Sequence, residues 1–126
     1  MEEKTIIRAD VAKNRMYIRL TGSYTVDDTI PVINRINCEV VKLKPGFGVI
    51  NDIRELKKVD IKAALKIKKG TEIIQEKGAK HIIRVVGNSK FALRIFAKFA
   101  NLVKNVQVNY VPTLEKAEEL LEEHNL

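Results

Sequence analysis

The sequence has no tryptophan, a single cysteine and two histidines among 126 residues, and each scarcity closes off a class of function. Cys38 alone forms no internal disulfide and has no second cysteine with which to share a metal ion. It lies amid Ile36, Val40 and Val41 with no adjacent histidine, so it reads as a small buried hydrophobe and not as a reactive thiol. His81 and His124 lack the i, i+4 spacing that would place both around one ion, and neither has a nucleophile and a carboxylate beside it in sequence. No metal, no cofactor and no nucleophilic triad are therefore expected. No apolar run approaches the roughly 18 residues of a membrane span. The opening Met1-Glu2-Glu3-Lys4-Thr5 is not a secretory signal, which makes the cytoplasm the expected location. With no repeat, linker or low-complexity stretch, residues 1–126 are expected to form one domain.

What is present is 45% hydrophobic and 31% charged, the balance of a chain that buries one core and keeps a charged surface. The formal net charge is +7, and it is unevenly spread. Residues 57–104 carry thirteen Lys or Arg against three Asp or Glu, so the remainder of the chain is net acidic. A basic middle attracts an acidic protein, an anionic lipid surface or nucleic acid, or simply forms a solvated face.

Alternating polarity predicts two strands, Thr5 to Ala9 and Arg15 to Leu20, around the turn-prone Lys13-Asn14. Thr25 followed by Asp28 resembles a capping box. Ile30, Ile33, Ile36, Val40 and Leu43 then recur at helical spacing, with Pro31 arguing for a start at Thr29 or a kink. Lys44-Pro45-Gly46 closes that helix. Further on, a strand over Phe47 to Ile53 precedes a helix over Asp60 to Lys77, and a strand over His81 to Val86 precedes a helix from Ser89 to about Lys104. A strand over Val106 to Val111 and a helix capped by Thr113 complete an order ββαβαβαβα. This is an α/β chain with one mostly parallel or mixed sheet of four to five strands and about four helices, covered on both faces.

Ligands and partners of parallel sheets meet the carboxyl ends of the strands, where this chain carries Asp52, Arg54, Asp60, Gly87, Asn88, Ser89 and Lys90. Asp52 and Asp60 facing one another, with Lys90 nearby, would be the acid–base pair of an enzyme. The simpler reading has Asp60 capping a helix and Asp52 pairing with Arg54. Gly87-Asn88-Ser89-Lys90 offers backbone amides, a hydroxyl and a charge to a small anion, with Arg94 one turn further on, although Ser89 is more simply explained as a cap. The helix from Ser89 onward has a narrow polar stripe, Lys90, Arg94, Lys98 and Asn101, against a broad apolar arc including Phe91, Ile95, Phe96 and Phe99. That arc suits burial, a homodimer face through residues 89–104, or the wall of a pocket for an apolar or amphiphilic ligand such as a lipid. Lys62, Lys66 and Lys69 form a basic face on the preceding helix. No aromatic residue is interleaved there to stack on bases, which disfavours nucleic acid. The last helix is acidic, with Glu115, Glu118, Glu119, Glu122 and Glu123, and would neutralise basic neighbours or confer solubility.

The strand Phe47-Gly48-Val49-Ile50-Asn51-Asp52-Ile53-Arg54, the following Val59-Asp60 and the closing Thr113-Leu114-Glu115-Lys116-Ala117 resemble the STAS-like family. This family comprises sulfate-transporter and anti-sigma-factor-antagonist domains, including the SpoIIAA-like single-domain proteins. The resemblance implies a non-enzymatic module that docks on other proteins or senses a small ligand. In the antagonists of that family, an Asp-Ser-Ser-Gly-like segment opens the helix after the central strand and receives a phosphate. The matching segment here is Asp60-Ile61-Lys62-Ala63, which has no hydroxyl. The resemblance thus implies a partner surface over Asp52, Arg54, Asp60, Ile61, Lys62 and Lys66 without the phosphorylation switch.

Overall fold

The computed structural model describes residues 4–100 and 106–124. Strands β1 (Thr5–Asp10) and β2 (Arg15–Leu20) form the expected antiparallel hairpin, with Asn14 at φ 54° in its turn. Asparagine tolerates that left-handed geometry better than most residues. β3 (Gly22–Tyr24), α1 (Val26–Val40), β4 (Gly48–Asp52), β5 (Leu56–Val59), α2 (Ile61–Glu76), β6 (His81–Val85), α3 (Lys90–Ala100), β7 (Gln107–Val111) and α4 (Leu114–His124) follow. Five strands make one mixed sheet in the order β1-β2-β4-β6-β7, in which every pair but the first is parallel.

Helices α1, α2 and α3 cover one face of the sheet, and α4 covers the other. Strand alternation divides the central residues between them. Val49 and Ile82 join Ile36, Ile67, Ile74 and Phe96 in the larger core, and Ile50, Ile83 and Val85 meet Ala117 and Leu121 of α4. Arg15, only 2% exposed, fixes α4 to the sheet through Glu118 at 2.6 Å and Glu122 at 3.2 Å. The Tyr17 hydroxyl donates to Glu118 at 2.9 Å. The acidic last helix therefore neutralises a buried cation as well as facing solvent.

The structure corrects four expectations. Between the predicted elements, β3 and β5 pair as a separate two-stranded parallel sheet. Three and four residues are too few to show periodicity, and Lys57 and Lys58 give β5 the look of a loop. Helix α1 starts at Val26, with Pro31 inside it and exposed, and ends at Val40, before the predicted stop. Asp28 accepts from the Thr25 backbone N–H at 2.8 Å and from its hydroxyl at 3.0 Å, securing that earlier start. The inward row of α1 is Thr29, Val32, Ile36 and Val40, so Ile30 is exposed. For the same reason Cys38, two residues and about 200° beyond Ile36, faces solvent instead of the core.

Candidate functional site

The residues singled out in the sequence separate into two neighbourhoods. The first lies at the carboxyl ends of β4 and β6. Asp52 is buried, and Arg54 embraces it: Nε donates to Oδ1 at 2.9 Å, Nη2 to Oδ2 at 2.8 Å and the backbone N–H to Oδ1 at 3.3 Å. Arg19 stands 4.0 Å away on β2. The Gly87 turn packs on the same arginine, since a Cβ at Gly87 would lie 3.2 Å from Arg54 Cγ. Its φ of +55° also suits glycine. Asn88 and Lys90 are exposed, as is Arg94 one turn further along α3. The Ser89 hydroxyl accepts from the Ala92 N–H at 3.1 Å, making it the cap of α3.

Burial by itself raises the Asp52 pKa. The hydrogen bonds and charge of Arg54, with the charge of Arg19, outweigh it and hold the carboxyl below its ordinary value of 3.8. A carboxylate clasped in this way is a fixed anion with a structural task. Asp60 is exposed at the start of α2 and shares no hydrogen bond with Asp52. Because the folded-state pKa of Asp52 is depressed, its contribution is complete well above 3.8 and fades as pH falls through the folded value. Asp52→Asn is expected to cost about 1–2 kcal/mol at pH 7 and to flatten the acid limb of the stability curve, measured by urea unfolding between pH 3 and 7. An unchanged acid limb would remove Asp52 from this role.

The second neighbourhood is the outer face of α2 with the adjoining edge of α1. Asp60 occupies the cap position of α2 with extended backbone, but its side chain makes no capping hydrogen bond. Ala63, Ile67, Gly70, Thr71 and Ile74 face inward. Ile61, 84% exposed, and Leu65, 58% exposed, then form one outward row at i, i+4, and Lys62, Lys66 and Lys69 form the next. A Cβ on Gly70 would lie 2.9 Å from Ile36 Cδ1, so glycine here lets α2 lie close on α1. Two shallow troughs of about 430 and 310 Å³ border this face and share Val26, Lys66 and Lys69, the second also lined by Ile30, Ile33 and Ile73. Among the described residues none of Lys62, Lys66 and Lys69 has an acidic partner, while Lys68 is 3.7 Å from Glu72.

The described part of the apolar arc of α3 is buried or half-buried except at Leu93. Ala92 and Phe96 are in the core, Phe91 and Ile95 pack partly against it, and Leu93 is exposed. Phe96 borders a small internal cavity together with Arg84. The side chains of Lys98, Phe99, Asn101, Leu102, Val103 and Lys104 lie outside the described residues. Among the described residues there is no cluster of metal-ligating groups, and no helix is long and apolar enough to cross a membrane.

No protein-family profile matches the chain, and no curated protein does. Solved structures that share its architecture include two of nearly the same extent. One is an uncharacterised protein of the DUF3478 family with a SpoIIAA-like fold from Shewanella loihica, with a TM-score of 0.61 at 16% identity over 96% of this chain and 98% of that one. The other is an anti-sigma factor antagonist from Mycobacterium paratuberculosis, with a TM-score of 0.58 at 13% identity over 94% and 92% of the two chains. The fold is therefore STAS-like, as the sequence resemblance implied. At such identity the likeness carries no residue roles.

Proposed function

We propose that this STAS-like chain is a non-enzymatic binding module in a single cytoplasmic domain, and that it docks an acidic amphipathic segment of a partner protein on the outer face of α2. The observation that carries this reading is the exposed Ile61–Leu65 row beside three lysines that have no acidic partner among the described residues, two of which, Lys66 and Lys69, line a trough with the exposed Ile30. Apolar side chains held in water want cover, and the lysine row selects a carboxylate-bearing occupant over a basic one. That a solved anti-sigma factor antagonist has the same fold supports a task performed on another protein. Asp60 and the first turn of α2 would form one end of the surface, with Ile61 and Lys62 where the antagonists carry hydroxyls. Regulation by phosphate there is not part of this reading. The Asp52–Arg54 pair, at the carboxyl ends of β4 and β6, is not part of this surface.

Titration calorimetry with two synthetic helical peptides, alike in apolar face but bearing glutamates or lysines on the other, tests the proposal. The acidic peptide is expected to bind, more weakly as salt rises, and the basic peptide not to bind. Lys62→Glu with Lys66→Glu is expected to weaken the acidic peptide at least tenfold, about 1.4 kcal/mol, with Tm nearly unchanged because both side chains are exposed. Equal binding by the charge-reversed variant, or binding of phosphatidylglycerol vesicles with no peptide binding, would overturn it.

A further inference from the structure

Arg84 is the one charge on β6, an interior strand between β4 and β7, and it is 1% exposed. Its side chain shares a face with Ile82 and points into the larger core under α1, α2 and α3. Nη1 donates to the Phe96 carbonyl at 3.0 Å and reaches the Tyr110 hydroxyl at 3.4 Å. The guanidinium carbon stands 4.7 Å from the centroid of the Phe96 ring and 5.9 Å from that of Tyr110. The buried Nε has no hydrogen-bond partner, and among the described residues no carboxylate approaches the group. Arg15 supplies the contrast, since its equally buried side chain meets two glutamates.

An arginine does not shed its proton in water-accessible pH ranges, so a full positive charge resides in this core. Desolvating such an ion costs several kcal/mol even after relaxation, and aromatic faces and one carbonyl offset only part of that. Arg84 also lines a cavity of about 30 Å³. Asn51 and Thr71 are the other polar residues on its wall, the rest being aliphatic apart from Phe96, and no carboxylate lines it. One water needs about 10–15 Å³, so the space holds about two waters or one small ion. Water satisfies hydrogen bonds but leaves the charge uncompensated.

We propose that Arg84 and the cavity between β6, α1 and α2 form a binding site for one small monovalent anion, of the size of a halide or formate, which neutralises the guanidinium inside the core. Asn51, whose amide nitrogen donates to the Ile18 carbonyl at 3.3 Å, and Thr71 complete the polar wall. The small volume excludes sulfate, phosphate and nucleotides. The site lies beneath the α2 docking face and stands independently of what binds there.

Thermal melts at constant ionic strength, with gluconate replaced stepwise by bromide or by formate, test this. Gluconate is too large for the cavity. Bromide is expected to raise Tm saturably, by roughly 4 °C, and the formate arm shows whether a carboxylate also fits. Arg84→Met, which keeps most of the volume without the charge, is expected to abolish the response. Should that variant fail to fold, anomalous diffraction from bromide-soaked crystals of the unaltered protein decides, with a bromide peak in contact with the Arg84 guanidinium as the expected result. Identical melts in bromide and gluconate, an equal response in Arg84→Met, or crystals with only water beside Arg84 would each overturn the site.

Discussion

Replacing Gly78 by valine is expected to lower stability by about 3 kcal/mol or more. Gly78 follows the last turn of α2 at φ +105°, a conformation that a β-branched residue adopts only under strain of about 1–3 kcal/mol. The new Cβ would also stand 2.9 Å from both Cα and Cβ of Pro45. A flexible side chain could swing aside, but Pro45 is backbone and ring. Nor can the loop retreat easily, because the Gly78 carbonyl accepts from the Gly46 N–H at 2.7 Å and ties the end of α2 to the loop after α1. Gly78→Ala shares the strained φ with less crowding, so its loss is expected to be smaller but above 1 kcal/mol. Urea unfolding of both variants provides the check, and a loss below 1 kcal/mol for valine would show that the two loops yield independently.

Truncating Phe96 to alanine is expected to cost about 3 kcal/mol, at the lower end of the range for a buried phenylalanine. The side chain is 2% exposed, lies in the larger core and stacks on the guanidinium of Arg84. Its removal forfeits apolar contacts and the cation–π attraction. The hole, however, opens beside a charge and merges with the cavity of about 30 Å³. A hole lined by a guanidinium takes up water, whereas an apolar hole of that size stays dry and binds benzene. Two measurements therefore belong together. Denaturant unfolding should show the moderate loss, and benzene should fail to raise the Tm of Phe96→Ala. A loss beyond 5 kcal/mol, or clear stabilisation by benzene, would mean that Arg84 does not wet the hole.

The long elements were legible because each buries a periodic face. Ala63, Ile67, Gly70 and Ile74, at i, i+4, i+7 and i+11 spacing, are the inward row of α2, and the caps Ser89 and Thr113 marked the starts of α3 and α4, each accepting a backbone N–H at 3.1 Å. The β3–β5 ribbon was not legible because its pairing is nonlocal and its strands are too short to repeat a pattern. Ile30 and Cys38 misled because an amphipathic helix carries apolar residues on its solvent side too, and only the burial of Val32 shows which row turns inward. At the site, the pairing of Asp52 with Arg54 could be read from their spacing. The isolation of Arg84 could not, since the absence of a carboxylate is a property of the folded neighbourhood. The available signal was an arginine among Ile82, Ile83 and Val85 of an interior strand.

The clamp between Arg15 and α4 bears on how the chain acquires its structure. Arg15 and Glu118 are 103 positions apart, so this contact closes only after every other described strand and helix has been synthesised. Until then β2 carries a bare cation, and Ile50, Ile83 and Val85 present an uncovered apolar surface in the middle of the sheet. Nascent chains and C-terminally shortened forms therefore share one vulnerability, a greasy sheet face open to self-association, which α4 seals in a late, nonlocal step.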